Sequence, residues 1–228
     1  MTVIRNRSLR TVLKYALPLI LIPALVALGA VVFRKDRYLL VSLGVAVLSI
    51  LLFYTSFEEK HIGSRRMVLT AILTALSVIG RFIPFFKPVT ALTVIAALYL
   101  GAESGFLVGS LSAILSNIWF GQGPWTPFQM LSWGLIGLFA GYLSKLLLKH
   151  RSLLLIYGVL SGVLYSMVMD IWTVLWYQGY FDIAYYLAAC VSALPYTILY
   201  AVSNFLFLFF LAEPMGRKLN RVKIKYGI

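Results

Sequence analysis

The chain is 228 residues long, 61% hydrophobic and only 12% charged, with a mean hydropathy of +0.93. Soluble domains average about 45–50% apolar and about 25% charged residues, so an ordinary water-soluble domain is excluded and the apolar surplus must face lipid. A formal charge of +13 would suggest nucleic acid for a soluble chain, but the Lys and Arg residues cluster between apolar runs and form no stripe interleaved with aromatics, which excludes that partner.

A bilayer core about 30 Å thick needs about 20 apolar residues per helix. The runs fall near 15–33, 38–57, 67–84, 88–102, 104–120, 128–148, 152–177 and 185–212, which predicts an all-α polytopic membrane helix bundle. The first run has a basic start and could be read as a signal peptide, but its apolar stretch continues to Phe33 without a small-residue cleavage site. Pro18 and Pro23 are expected to kink it. The most polar internal stretch, 58–66, divides the chain into a two-helix N-terminal extension (1–63) and a six-helix core (64–228). The fourth and fifth runs are separated only by Gly101-Ala102-Glu103-Ser104-Gly105, which implies a tight re-entry.

Short connections rich in Lys and Arg stay in the cytoplasm. With the N-terminus inside, the inner segments hold Arg5, Arg7, Arg10 and Lys14, then Lys60, Arg65 and Arg66, then Lys145, Lys149 and Arg151, and finally Arg217, Lys218, Arg221, Lys223 and Lys225. Only Arg34, Lys35, Arg37, Arg81 and Lys87 fall outside, so both termini are expected in the cytoplasm. The misfit is Arg34-Lys35-Asp36-Arg37. Either the first two runs form a cytoplasm-facing hairpin or the later signals override this loop.

No phosphate-binding loop, dinucleotide loop, HExxH or nucleophile elbow is present, so the chain has no means of hydrolysing ATP by itself. The single Cys190 excludes an internal disulfide, and no Cys/His spacing supports a redox or zinc site. His61 and His150 read as solvated residues at helix ends. The outer side is richer in chemistry. Trp119 to Gln129 (WFGQGPWTPFQ) carries no charge, has two glycines and two prolines, and is followed by Trp133. Fixed backbone, Trp faces and the amides of Gln122 and Gln129 suit a large flat ligand with neutral hydrogen-bonding groups, although an aromatic belt has the same composition.

Asp170 lies within the seventh run, with Thr173 and Tyr177 on the same helical face and Trp172 and Trp176 beside it. A carboxylate there must face the bundle interior, toward a ligand or an ion-pair partner such as Arg81 or Lys87. Asn117 and Asn204 read as amides bridging helices. Small residues recur at helical spacing at Ala71 and Ala75, at Gly101, Gly105, Gly109 and Ala113, and at Gly134, Gly137 and Gly141, which permits close helix approach.

On the Ala71/Ala75 pattern, the Glu103 turn and above all Phe120-Gly121-Gln122-Gly123-Pro124-Trp125-Thr126-Pro127, the core resembles the substrate-binding S components of energy-coupling factor vitamin transporters, most nearly the cobalamin type. The resemblance implies a vitamin-capture protein of a prokaryotic plasma membrane that docks on a transmembrane coupling subunit and two cytoplasmic ATPases, with Ala71 and Ala75 on the coupling face. It implies no resident cofactor: the vitamin is cargo, and ATP is used by the partners. The pocket is expected among the loops at 81–88, 120–128 and 177–184, with Arg81, Trp119, Gln122, Trp125, Gln129, Trp133, Asp170 and Tyr177 as substrate-binding residues. Cobalamin is favoured by the resemblance and the wide aromatic loop; riboflavin or a deazapurine precursor of queuosine also fits. A membrane-embedded enzyme using Asp170, or a structural assembly protein, are readings of other classes.

Overall fold

The computed structural model describes residues 7–32, 38–55 and 62–226. The loop Arg34 to Arg37 and residues Glu58 to His61 lie outside the described residues. All described elements are helical: α1 (Arg7–Ala16), α2 (Ile22–Val32), α3 (Tyr38–Thr55), α4 (Ile62–Gly80), α5 (Val89–Leu100), α6 (Ala102–Phe120), α7 (Thr126–Tyr142), α8 (Ser144–Lys149), α9 (Arg151–Gln178), α10 (Ile183–Ser192) and α11 (Leu194–Tyr226). Four helical stretches are long and apolar enough to cross a membrane: Ser8–Val31, Tyr38–Thr55, Arg151–Gln178 and Leu194–Lys225. The fold is an all-α, multi-pass membrane bundle.

Three details go beyond the sequence reading. The first run is continuous through Pro18; α1 and α2 are joined by a π-helical turn, Leu17–Leu21, in which the Ile22 N–H reaches back to the Leu17 carbonyl. A π turn absorbs the hydrogen bond that proline, lacking an N–H, cannot make. The eighth run is two helices, broken at Ala193 immediately ahead of Leu194-Pro195, because Pro195 has no N–H to continue the ladder of α10 and fits the first turn of a new helix. The sixth run is likewise split at Leu143 into α7 and α8.

The glycine runs are the packing surface of α6 on α7. A Cβ at Gly109 would stand 2.4 Å from the Trp133 carbonyl oxygen, and one at Gly137 would stand 2.4 Å from the Gly105 backbone. Only glycine allows the two backbones to approach this closely. Fully buried Ala113 continues the stripe, and α5 closes over it with its buried alanines 91, 96 and 97. Asn204 donates to the Gly158 carbonyl at 3.1 Å and so bridges α11 to α9, as expected of an intramembrane amide.

The extension is bolted onto the core. α3 packs on α6 and α7. At the end of the bundle where α6 begins, Glu103, 4% exposed, is paired with Lys14 of α1 at 2.6 Å and with Arg66 of α4 at 3.4 Å. Arg66 also donates to Ser104 at 2.8 Å and lies over the Phe53 ring of α3. A carboxylate buried at this depth requires such partners, and here one of them comes from each body.

Candidate functional site

At the opposite end of the bundle, α5, α7, α9 and α11 splay apart around two adjoining lobes of about 280 Å3 each. Gln129, Tyr165, Tyr196 and Tyr200 line both lobes, so the two adjoin and share these walls.

The first lobe is built on the connection between α4 and α5. α4 stops at Gly80, and residues 81–88 fold back in tight turns, with Phe85 at φ 60°, a left-handed conformation uncommon for a residue with a side chain. The connection is tied to α11 by Ser203, whose hydroxyl accepts from the Lys87 N–H at 2.9 Å and donates to the Lys87 carbonyl at 3.0 Å. Arg81 turns inward and donates to the Ser116 hydroxyl at 2.5 Å and to the side-chain Oδ1 of Asn117 at 2.7 Å, both on α6. Its guanidinium lies 4.8 Å from the Phe120 ring centre and 5.4 Å from that of Trp133. Lys87 donates to the backbone carbonyls of Arg81 and Ile83, both at 2.6 Å. Burial, and then the neighbouring Arg81 charge, lower the affinity of the Lys87 ammonium for its proton. Among the described residues, both cations line the pocket with only neutral hydrogen-bond partners.

A relay of amides and hydroxyls fixes the floor. Asn117 donates to Thr126 at 2.8 Å and to Gln129 Oε1 at 2.9 Å; Gln129 Nε2 in turn donates to the Tyr165 hydroxyl at 3.1 Å. Trp133 stacks flat on Tyr165 with ring centres 5.0 Å apart and planes 7° from parallel, and Tyr200 meets Tyr165 edge-on. With the Asn117 and Gln129 amides tied and the rings packed, these side chains present preformed flat walls.

The second lobe carries Asp170, Ser166 and Met169 of α9, Trp125 at the start of α7, Trp172 of α9, and Ala193 and Tyr196 at the junction of α10 and α11. Asp170 is 8% exposed and forms no ion pair among the described residues; Arg81 and Lys87 are engaged elsewhere, so the anticipated pair with either does not form. Cys190 of α10 instead lies beside the Asp170 carboxyl group. Trp125 packs edge-on against Trp172 at 5.6 Å.

Of the anticipated residues, the structure brings together Arg81, Gln129 and Trp133 in the first lobe and Trp125 and Asp170 in the second, with Gln129 common to both. Gln122 stands apart: its amide donates to the Ile114 carbonyl at 2.7 Å and accepts from Thr126 at 3.0 Å, which holds the 121–125 turn in shape. Trp119 is 64% exposed and packs against Phe82, and Tyr177 is 68% exposed; neither lines a lobe. Tyr165, Tyr196, Tyr200 and Lys87 line the cavity without having been singled out as binding residues. Ala71 and Ala75 lie on the exposed face of α4, in a band with Val68, Ile72, Leu76 and Ile79.

Residues 61–221 match the family described as ECF-type riboflavin transporter, S component. The chain belongs to this family. The match covers the core, from the α4 end of the extension to the last turns of α11. No curated protein and no solved structure matches the chain. The S component is a substrate-capture subunit of an energy-coupling factor vitamin transporter, a transport subunit and not an enzyme, and the family implies its association with a membrane coupling subunit and ATPases.

Proposed function

We propose that this S component captures riboflavin from the extracytoplasmic side and delivers it to an ATP-driven module, with both chain termini in the cytoplasm. The observation that carries this reading is the cavity itself: two aromatic-walled lobes, with Arg81 and Lys87 at one side, the Gln129 amide in the middle and the Asp170 carboxyl group at the other. A flavin ring is flat enough to lie along Trp133, Tyr165 and Tyr200. Its carbonyl-bearing edge accepts hydrogen bonds from the cationic side, and the hydroxyls of its side chain donate to Asp170. The family match favours riboflavin over the cobalamin suggested by sequence resemblance, and two modest lobes suit a tricyclic ring better than a corrin. A precursor of queuosine shares the flat heteroaromatic character and is the ligand to test beside it.

The same reading gives the exposed Ala71/Ala75 face of α4 to the coupling subunit, since small residues let a partner helix approach closely. The extension leaves this face open, because it packs on α6 and α7 at another side of the core. Purification from cells grown with riboflavin, followed by visible absorbance of the protein peak, tests the proposal: a flavin spectrum that survives gel filtration is expected. In vesicles, the chain alone should bind riboflavin without accumulating it, and accumulation without an ATPase partner would contradict the assigned division of labour.

A further inference from the structure

A third cavity lies beside the ligand pocket. Between α2 and α3 of the extension and the ends of α7 and α9 is a half-open crevice of about 490 Å3, walled by residues such as Val26, Ala30, Val41, Phe128 and Leu175. Among the described residues, Trp172 is the one side chain common to the walls of this crevice and of the Asp170 lobe. Its indole thus borders both spaces.

That indole is held in an unusual way. Trp125 meets it edge-on at 5.6 Å and Trp176 tilts against it at 6.0 Å, but its Nε1–H is buried without an acceptor among the described residues. Buried Trp N–H groups normally find a partner. Rotation of the ring therefore breaks no hydrogen bond among the described residues, and packing is what holds it in place.

We propose that Trp172 sets the size of ligand this pocket accepts, and that the crevice behind it is an annex that takes apolar substituents carried by a flat heteroaromatic ligand once Trp172 yields. The inference rests on the flavin reading of the pocket. It makes the N-terminal extension part of the specificity apparatus, because α2 and α3 supply the far wall of the annex.

The probes are riboflavin and riboflavin tetrabutyrate, whose side-chain hydroxyls carry four butyryl esters, titrated into the purified full chain by flavin fluorescence. Wild type should bind riboflavin and discriminate against the ester. Trp172→Ala should raise affinity for the ester by about 10-fold or more, the scale on which pocket volume discriminates apolar groups, while Trp172→Phe, which keeps the wall, should not. Trp172→Leu serves if the alanine variant folds poorly. Adding Ala30→Phe to fill the annex should cancel the gain. An ester affinity unmoved by Trp172→Ala and Trp172→Leu, or a gain that survives Ala30→Phe, would overturn the proposal.

If no form of the protein binds riboflavin, the flavin reading fails and the partition is judged separately. In a Cys190→Ala, Trp172→Cys double variant, the introduced thiol should react both with a charged, water-soluble thiosulfonate and with an apolar N-alkyl maleimide. Ala30→Phe should slow only the apolar reagent. Equal slowing of both reagents, or of neither, contradicts a wall shared by pocket and crevice.

Discussion

Replacing Gly109 by alanine perturbs the pocket from behind, through packing alone. The added Cβ would sit 2.4 Å from the Trp133 carbonyl oxygen and 2.8 Å from the Gly134 nitrogen, both of them backbone atoms. Ordinary contacts between carbon atoms are about 3.5 Å or more, so α6 and α7 must separate locally by about 1 Å. Overpacking of this kind costs about 1–3 kcal/mol, or about 5- to 150-fold in the folding equilibrium. α7 also carries Gln129 and Trp133, one turn apart on the pocket side, so the same shift pulls Gln129 from Asn117 and Trp133 from Tyr165. Gly109→Ala should therefore lower the midpoint of thermal unfolding in detergent and weaken riboflavin binding about 10-fold or more while helical circular dichroism persists. Unchanged affinity with a lowered midpoint would show that the pocket does not depend on α6–α7 spacing. Unchanged values of both would refute the packing argument.

Trp133→Ala and Trp125→Ala remove aromatic walls and should each cost about 1–3 kcal/mol of binding, about 5- to 150-fold, whereas Trp119→Ala and Tyr177→Ala, outside both lobes, should alter riboflavin titrations by less than about 2-fold. Ala71→Leu and Ala75→Leu should leave ligand affinity intact and abolish co-purification with the coupling subunit; lost affinity with assembly intact would move this face into the pocket. Glu103→Gln leaves two cations facing one amide, and because Lys14 is partly exposed the expected loss is about 1–3 kcal/mol, read as a lowered unfolding midpoint that the Lys14→Met, Glu103→Gln double variant partly restores. A midpoint unchanged by Glu103→Gln would mean that the extension is not anchored through this carboxylate.

The positions of the apolar runs and much of their packing were legible in the sequence because apolar run length and small-residue spacing are direct consequences of bilayer thickness and backbone approach. Gly105, Gly109, Gly137 and Gly141 all lie where their spacing placed them. The site was only partly legible. Trp119 and Asn117 are two residues apart on one helix, hence on nearly opposite faces; Asn117 points inward, so Trp119 must point out. Tyr177 shares a face with Asp170 but stands two turns, about 10 Å, further along the helix, beyond the pocket. By composition alone the tyrosines of α9 and α11 are indistinguishable from an interfacial aromatic belt. Their phase carried the missing signal: Tyr196, Tyr200 and Asn204 recur every four residues along one face of α11, and all three line the first lobe. Which partner Arg81 takes depends on how α6 sits against the 81–88 turn, and no local pattern encodes that.

The central claim, that the two-lobed cavity is a riboflavin site, is tested most directly by equilibrium titration of the purified, ligand-free chain with riboflavin, with cobalamin and queuine run in parallel and Trp133→Ala as the site control. The account predicts saturable one-to-one binding of riboflavin with quenching of flavin fluorescence, weakened by Trp133→Ala and not displaced by cobalamin. Saturable binding of cobalamin or queuine with none of riboflavin, or riboflavin binding indifferent to Trp133→Ala, would contradict it.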